Sequence, residues 1–230
     1  MIGYRSTMPY HWDFMAVLQG YRLFIEGAKG TLVLTTLSLL LAIPLGALLC
    51  ALRVLRIPLL GAWSVTYVDT LRAVPAIVLF YWLFFAFPMI TGLGLSALVV
   101  SVGAVALQSA AFFSEVFRSG LNAIPRGQWE AALSLGMSRH TAFLFVIAPQ
   151  SLRALLPSFM TRSIDLIKTT TFASVISYNE IVYAASQVTA STYHPIETYV
   201  VLGGIFFVPI FILSMFARSM ERRFGRSRSQ

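Results

Sequence analysis

Apolar residues run along this chain in blocks too long for a soluble fold, and short polar stretches separate them. Thr31 to Leu52 holds 22 residues without a charge, with Pro44 as an internal kink, and predicts a first membrane-crossing helix. Ala73 to Ser114 holds 42 uncharged residues, room for two crossings. The break falls at Pro88-Met89-Ile90-Thr91-Gly92-Leu93-Gly94, where proline and two glycines favour a turn. Thr198 to Ala217 predicts the last crossing, interrupted only by Pro209. Leu152 to Tyr178 carries Arg153, Arg162, Asp165 and Lys168, yet its apolar flanks make it the fourth crossing. Charges there should face a protein interior or a water-filled path. Before the first block, Phe14, Val17, Leu18, Tyr21 and Ile25 recur at helical spacing, which predicts an amphipathic helix lying on the membrane surface. Asp13, Arg22, Glu26 and Lys29 exclude a cleavable signal.

The pattern predicts an all-α, polytopic membrane protein of a single domain, residues 1–230. It consists of an N-terminal amphipathic segment (1–30), five transmembrane helices at about 31–52, 68–88, 95–117, 152–178 and 198–217, and a polar loop at 119–150. Glu180 to Glu197 becomes an external segment with a short helix at Ile181 to Ala190. Composition agrees: 57% of residues are hydrophobic and 11% charged, against roughly 25% charged in soluble domains. The net charge of +8 does not point to nucleic acid, because the basic residues cluster at the ends of apolar runs. Arg53, Arg56 and Arg72 lie between spans one and two; Arg118, Arg126, Arg139 and Arg153 between three and four; Arg218, Arg222, Arg223, Arg226 and Arg228 after span five. The alternate loops, Phe87 to Ser96 and Tyr178 to Thr198, hold no Lys or Arg. That bias predicts the N-terminus outside and the C-terminus cytoplasmic, with Arg5, Arg22 and Lys29 partly balanced by Asp13 and Glu26. One cysteine, Cys50, excludes a disulfide framework, and His11, His140 and His194 lack metal-ligand spacing.

The loop from Ser119 to Gln150 carries the most specific pattern. Trp129, Leu133 and Met137 recur every four residues, with Ala132 and Leu135 nearby, giving a short amphipathic helix whose apolar side needs a partner. Ala131 and Ala132 allow close approach, Gly136 permits a sharp change of direction, and Pro125 and Pro149 bound the loop. An ordinary interfacial helix is the plain alternative. The segment resembles the coupling loop of the permease subunits of ABC importers, E-A-A-x-x-x-G, nine residues, then I-x-L-P. Glu130, Ala131, Ala132 and Gly136 match, and Val146-Ile147-Ala148-Pro149 follows at the right distance.

The chain is similar to the polar amino acid branch of that family over nearly its whole length. Gly30-Thr31-Leu32 with Thr35 and Ser38, Leu71-Arg72-Ala73-Val74-Pro75, Ser109 to Gly120, and Pro125-Arg126-Gly127-Gln128-Trp129-Glu130-Ala131-Ala132 resemble its segments in the same order. The resemblance implies a permease in a bacterial cytoplasmic (inner) membrane, surrounded by lipid. Its partners would be two ATP-binding subunits, a second permease subunit, identical or paralogous, and an external solute-binding protein. ATP and Mg would bind the partner ATPase, with no cofactor in this chain, which has no G-x-x-x-x-G-K-[ST] phosphate loop. Glu130, Ala131, Ala132, Gly136 and Pro149 would form the ATPase-coupling element, set in a groove of the partner.

Gln108, Phe112 and Glu115 fall at i, i+4 and i+7 on one helix face. Asp165, Lys168 and Thr170 lie on span four. Together these six are candidates for the substrate path, able to offer an acceptor to an ammonium and donors to a carboxylate. The structural alternative is that Glu115 pairs with Arg118, and Asp165 with Arg162 or Lys168. Lys168-Thr169-Thr170-Thr171 stands where the family often reads K-D-T-S, so the acidic position is lost. The rival functions are an ion-coupled secondary transporter or channel subunit and a membrane-embedded enzyme, for which no catalytic cluster is present. The resemblance implies that the solute is set largely by the separate binding protein.

Overall fold

A computed structural model describes residues 10–55 and 57–225 of the chain. Residues 1–9, Arg56 and 226–230 lie outside it, and with them Arg5, Arg226 and Arg228 of the charge argument and the start of the 1–30 segment. The described residues are helical, and four helices among them are long and apolar enough to cross a membrane, five if one bent pair counts as a span.

α1 (Phe14–Gln19) begins at Asp13, whose carboxylate accepts from the Ala16 N–H at 3.0 Å. α2 (Tyr21–Val54) is one continuous helix. Tyr21 to Gly30 therefore continues into the helix of the predicted first span instead of forming one separate helix with Phe14 to Gln19. At 1.5 Å per residue its 34 residues reach about 50 Å, so Arg22, Glu26 and Lys29 extend beyond a core of about 30 Å. α2 packs along α6 (Ala97–Asn122) as the central pair of the fold. Small residues make this close approach possible: Ser38, Ala42 and Gly46 of α2 and Ala106, Ala110 and Ser114 of α6 are all buried. A Cβ on Gly46 would stand 2.7 Å from the Phe113 Cβ and 2.9 Å from the Ala110 carbonyl oxygen. Gly46→Leu is expected to force this pair apart and lower stability by about 1–3 kcal/mol, read as a depressed melting temperature of the purified chain in detergent.

The region predicted as the second span is two helices, sharply bent. α3 (Pro58–Ala73) meets the helical stretch Ala76–Thr91 at 106°, where Val74 is extended (ψ 128°) ahead of Pro75. The span predicted at 68–88 thus begins ten residues earlier and turns in its middle. The 76–91 stretch comprises α4 (Ala76–Tyr81), a wide π turn (Trp82–Ala86) and α5 (Phe87–Thr91), and stops at Gly92 with φ 73°.

After α6 come α7 (Arg126–Ser134), α8 (Arg139–Ala142), a second π turn (Phe143–Ile147) and α9 (Ala148–Thr169), the last continuing as a 3-10 segment to Ile176. The helical run that leads into the predicted fourth span therefore starts at Arg139, ahead of Leu152 and inside the predicted loop 119–150. Pro149 does not interrupt this helical run because the π turn ahead of it shifts the register: the Ala148 N–H bonds back to the Phe143 carbonyl. That lets a residue without an N–H enter near the start of α9. Pro88 follows the first π turn in the same way. α10 (Ile181–Thr192) covers the predicted external helix. It is capped by the buried Glu180, which accepts from Val182 and Tyr183 at 2.9 and 2.8 Å, and burial raises its carboxyl to about 7. α11 (Pro195–Gly225) is the last span, its first turn tied to the N-terminal segment where Glu197 accepts from Tyr10 and Asp13. Leu32, Leu40, Phe207 and Phe216 stay exposed and form part of an outward apolar surface suited to lipid.

Candidate functional site

The helix–turn segment 126–138 is built by local bonding. Pro125 opens α7 with a fixed φ of −58°. At its end the Met137 N–H bonds to the Ala132 carbonyl at 3.2 Å and the Gly136 N–H to Leu133 at 3.0 Å, the bonding of a Schellman cap. Gly136 holds φ at 79°, a conformation a side chain resists. Ser138 then caps α8, accepting from the Thr141 N–H at 3.1 Å. The two helices are thus set at a fixed turn.

This turn divides the predicted coupling residues. Glu130 and Ala131 are exposed, whereas Ala132 is 3% exposed and packs inward. Trp129 leans back onto Phe143, ring centroids 6.4 Å apart, and Gln150 donates to Gln128 at 3.1 Å. Leu133 and Leu135 are exposed, the latter 82%. Among the described residues Glu130 enters no ion pair. Gly136 lies at the turn, and Pro149 is exposed on the first turn of α9. The outward surface is therefore Glu130, Ala131, Leu133 and Leu135, an acidic residue beside apolar ones.

The second group gathers where α2, α3, α6 and α9 meet. Glu115 accepts from Arg53 at 2.5 Å and from Arg118 at 2.6 Å, and Arg72 stands 3.9 Å away. Phe112, one turn earlier, carries the Arg162 guanidinium 3.5 Å from its ring centre and Arg72 at 5.7 Å. Arg162 reaches Asp165 at 3.5 Å, Lys168 reaches it at 3.7 Å, and the Arg162 Nε is buried without a partner.

Gln108, Phe112 and Glu115 do share one face, but two of them are already engaged. Gln108 donates to the Val74 carbonyl at 2.8 Å and to Leu71 at 3.3 Å. Pro75 has no N–H to give Leu71, so Gln108 satisfies the carbonyls at the break in the second span. Gln108→Leu is expected to leave them unpaired, at about 1–3 kcal/mol, lowering the melting temperature while solute preference in an uptake assay stays unchanged. Thr170 is fully buried and gives its hydroxyl to Ile167 at 2.7 Å; Thr169 and Thr171 bond back to Asp165 and Lys168. Asp165 and Lys168 remain partly open, at 42% and 56% side-chain exposure. Of the other span-four charges, Arg162 faces inward and Arg153 is exposed. Sequence reasoning placed Arg162 as a span-four charge facing an interior or a water-filled path and as a partner of Asp165. Its stacking on Phe112, 50 residues away along the chain, had no local signal.

Comparison with known proteins fits this geometry. Residues 32–226 match the family described as binding-protein-dependent transport system inner membrane component. The chain is 28% identical to the probable amino-acid ABC transporter permease protein YckA of Bacillus subtilis (strain 168), over 93% of this chain and 96% of that one. It is 31% identical to the probable glutamine ABC transporter permease protein GlnP of the same organism, over 82% of each. Its fold superposes with a TM-score of 0.88 on a chain of a crystal structure of an amino acid ABC transporter with histidines, at 29% identity, covering 93% of this chain and all of that one.

Proposed function

Because this chain belongs to the family of binding-protein-dependent inner membrane components and is a permease subunit of an ABC importer, we propose that it forms the translocation path for a polar amino acid or related small solute. Permeases that it resembles carry amino-acid names. The observation that carries the energy source is the fixed turn at Gly136, which holds Glu130 and Ala131 outward. In this reading a groove of an ATP-binding subunit receives that surface, ATP and Mg bind there, and closure of two such subunits switches the permease pair between outward- and inward-facing states. The second permease is a copy or a paralogue, and an external binding protein delivers the solute. The N-terminus lies outside and the C-terminus in the cytoplasm of a bacterial inner membrane, which sets the loop of Glu130 and the cluster of Arg53, Arg72 and Arg118 on the cytoplasmic side.

The cluster around Phe112 supports a solute bearing a carboxylate. Arg72 and Arg162 supply donors, and Asp165, partly open, offers an acceptor for an ammonium. Reconstitution of the chain with its co-isolating ATPase and binding protein into liposomes tests the whole reading. Uptake should require ATP and the binding protein and should persist when ion gradients are collapsed. Uptake driven by a proton or sodium gradient without ATP would instead establish the ion-coupled transporter.

A further inference from the structure

An apolar cavity of about 710 Å³ opens between the end of α2, the end of α6 and the α7–α9 segment. Its walls include Cys50 and Ala51, Phe117 and Leu121, and Leu152 and Leu155. The volume lies within the range of small-molecule sites. Ser151 is in the wall, but its hydroxyl proton goes to the Ala148 carbonyl at 3.0 Å. Almost nothing polar is left to greet a water-soluble ligand.

Two observations define what fits. Arg139 and His140 line the cavity and are exposed, and Arg139 enters no ion pair among the described residues. Leu55 and Leu152 also line it and are 69% and 56% exposed, and Leu59 at the start of α3 is exposed at 83%. The cavity is thus greasy within, open toward the apolar outer surface, and cationic at one edge. A free inorganic anion would find the edge but not the interior; a neutral lipid would leave the edge unmatched.

We infer that this cavity is a binding site for an anionic phospholipid, one acyl chain inside and the phosphate held by Arg139 and His140. Basic pockets between transmembrane helices hold acidic headgroups by this combination. Trp129 of α7 is part of the same wall, so the lipid touches the helix that carries Glu130 as well as the first and third spans. Its occupancy couples membrane composition to the stance of that helix.

Native mass spectrometry tests this on the chain with its co-isolating subunits, released from nanodiscs of mixed phosphatidylglycerol and phosphatidylcholine. Wild type, Arg139→Gln and Leu152→Trp are compared, the last placing a bulky ring in the cavity from a half-exposed position. Wild type should retain phosphatidylglycerol preferentially. Arg139→Gln should lower that preference about fivefold, the effect of one basic residue at an anionic surface, and Leu152→Trp should remove both lipids alike. Should Leu152→Trp fail to assemble, alkylation of Cys50, the single cysteine of the chain, gives the second readout: phosphatidylglycerol slows it and phosphatidylcholine does not. Equal retention of both lipids in wild type, retention unchanged in both variants, Cys50 alkylation indifferent to headgroup, or a co-purified peptide in place of lipid would each overturn the assignment.

Discussion

Replacing Glu115 by alanine is expected to remove most of the folded chain from the membrane. Three arginines from three helices converge on this carboxylate: Arg53 from α2, Arg72 from α3 and Arg118 from α6 itself. The Arg53 and Glu115 side chains are only 17% and 19% exposed, so water screens them poorly. Without the acid, like charges face one another within a few ångströms. Breaking a buried pair by removing one partner costs about 3–5 kcal/mol, and the partial exposure of Arg72 and Arg118 places this site toward the lower end. Glu115→Gln keeps the shape and one acceptor and should fall between. Arg53→Met added to Glu115→Ala should restore part of the loss, since it removes the least exposed of the stranded cations. Melting temperature and membrane abundance are the measurements. If Glu115→Ala melts like wild type while solute preference shifts, the residue belongs to recognition and not to the scaffold.

This cluster also shows what the sequence could and could not reveal. The i, i+4, i+7 spacing of Gln108, Phe112 and Glu115 and the i, i+3 pairs Glu115–Arg118 and Arg162–Asp165 were legible because a helix fixes them locally. Arg53 and Arg162 reach that face from 62 and 50 residues away, and periodicity carries no information about such partners. The spans divide the same way. Uncharged length located α2, α6 and α11, because lipid tolerates few charges. It did not foresee how far the helices themselves run: Arg22 to Lys29 continue α2, α3 begins as early as Pro58, and Pro149 sits within a helical run behind a π turn. The bend of 106° at Pro75 had a visible cause, yet its stabilisation by Gln108 required the third dimension.

At the turn between α7 and α8, Gly136→Val and Glu130→Lys should both abolish transport, but by different routes. Gly136 holds φ at 79°, and a Cβ there would meet no atom of the described residues within 4 Å, so valine meets backbone strain of about 1–2 kcal/mol and not a clash. The cap bonds from Gly136 and Met137 then weaken, and Glu130 loses its fixed orientation. Glu130→Lys leaves the chain's own packing untouched, because its side chain is exposed and enters no ion pair among the described residues. In the docking proposed above it reverses the charge offered to the ATP-binding subunit, and loss of a central contact of about 2 kcal/mol corresponds to roughly thirtyfold weaker docking. Both variants should reach the membrane at wild-type abundance. Glu130→Lys should lose co-isolation with the ATPase, whereas Gly136→Val should keep part of it while solute no longer stimulates ATP hydrolysis. A Glu130→Lys chain that still co-isolates and still supports ATP-dependent uptake would show that the motor grips elsewhere, with the exposed Leu133 and Leu135 as the next surface to change.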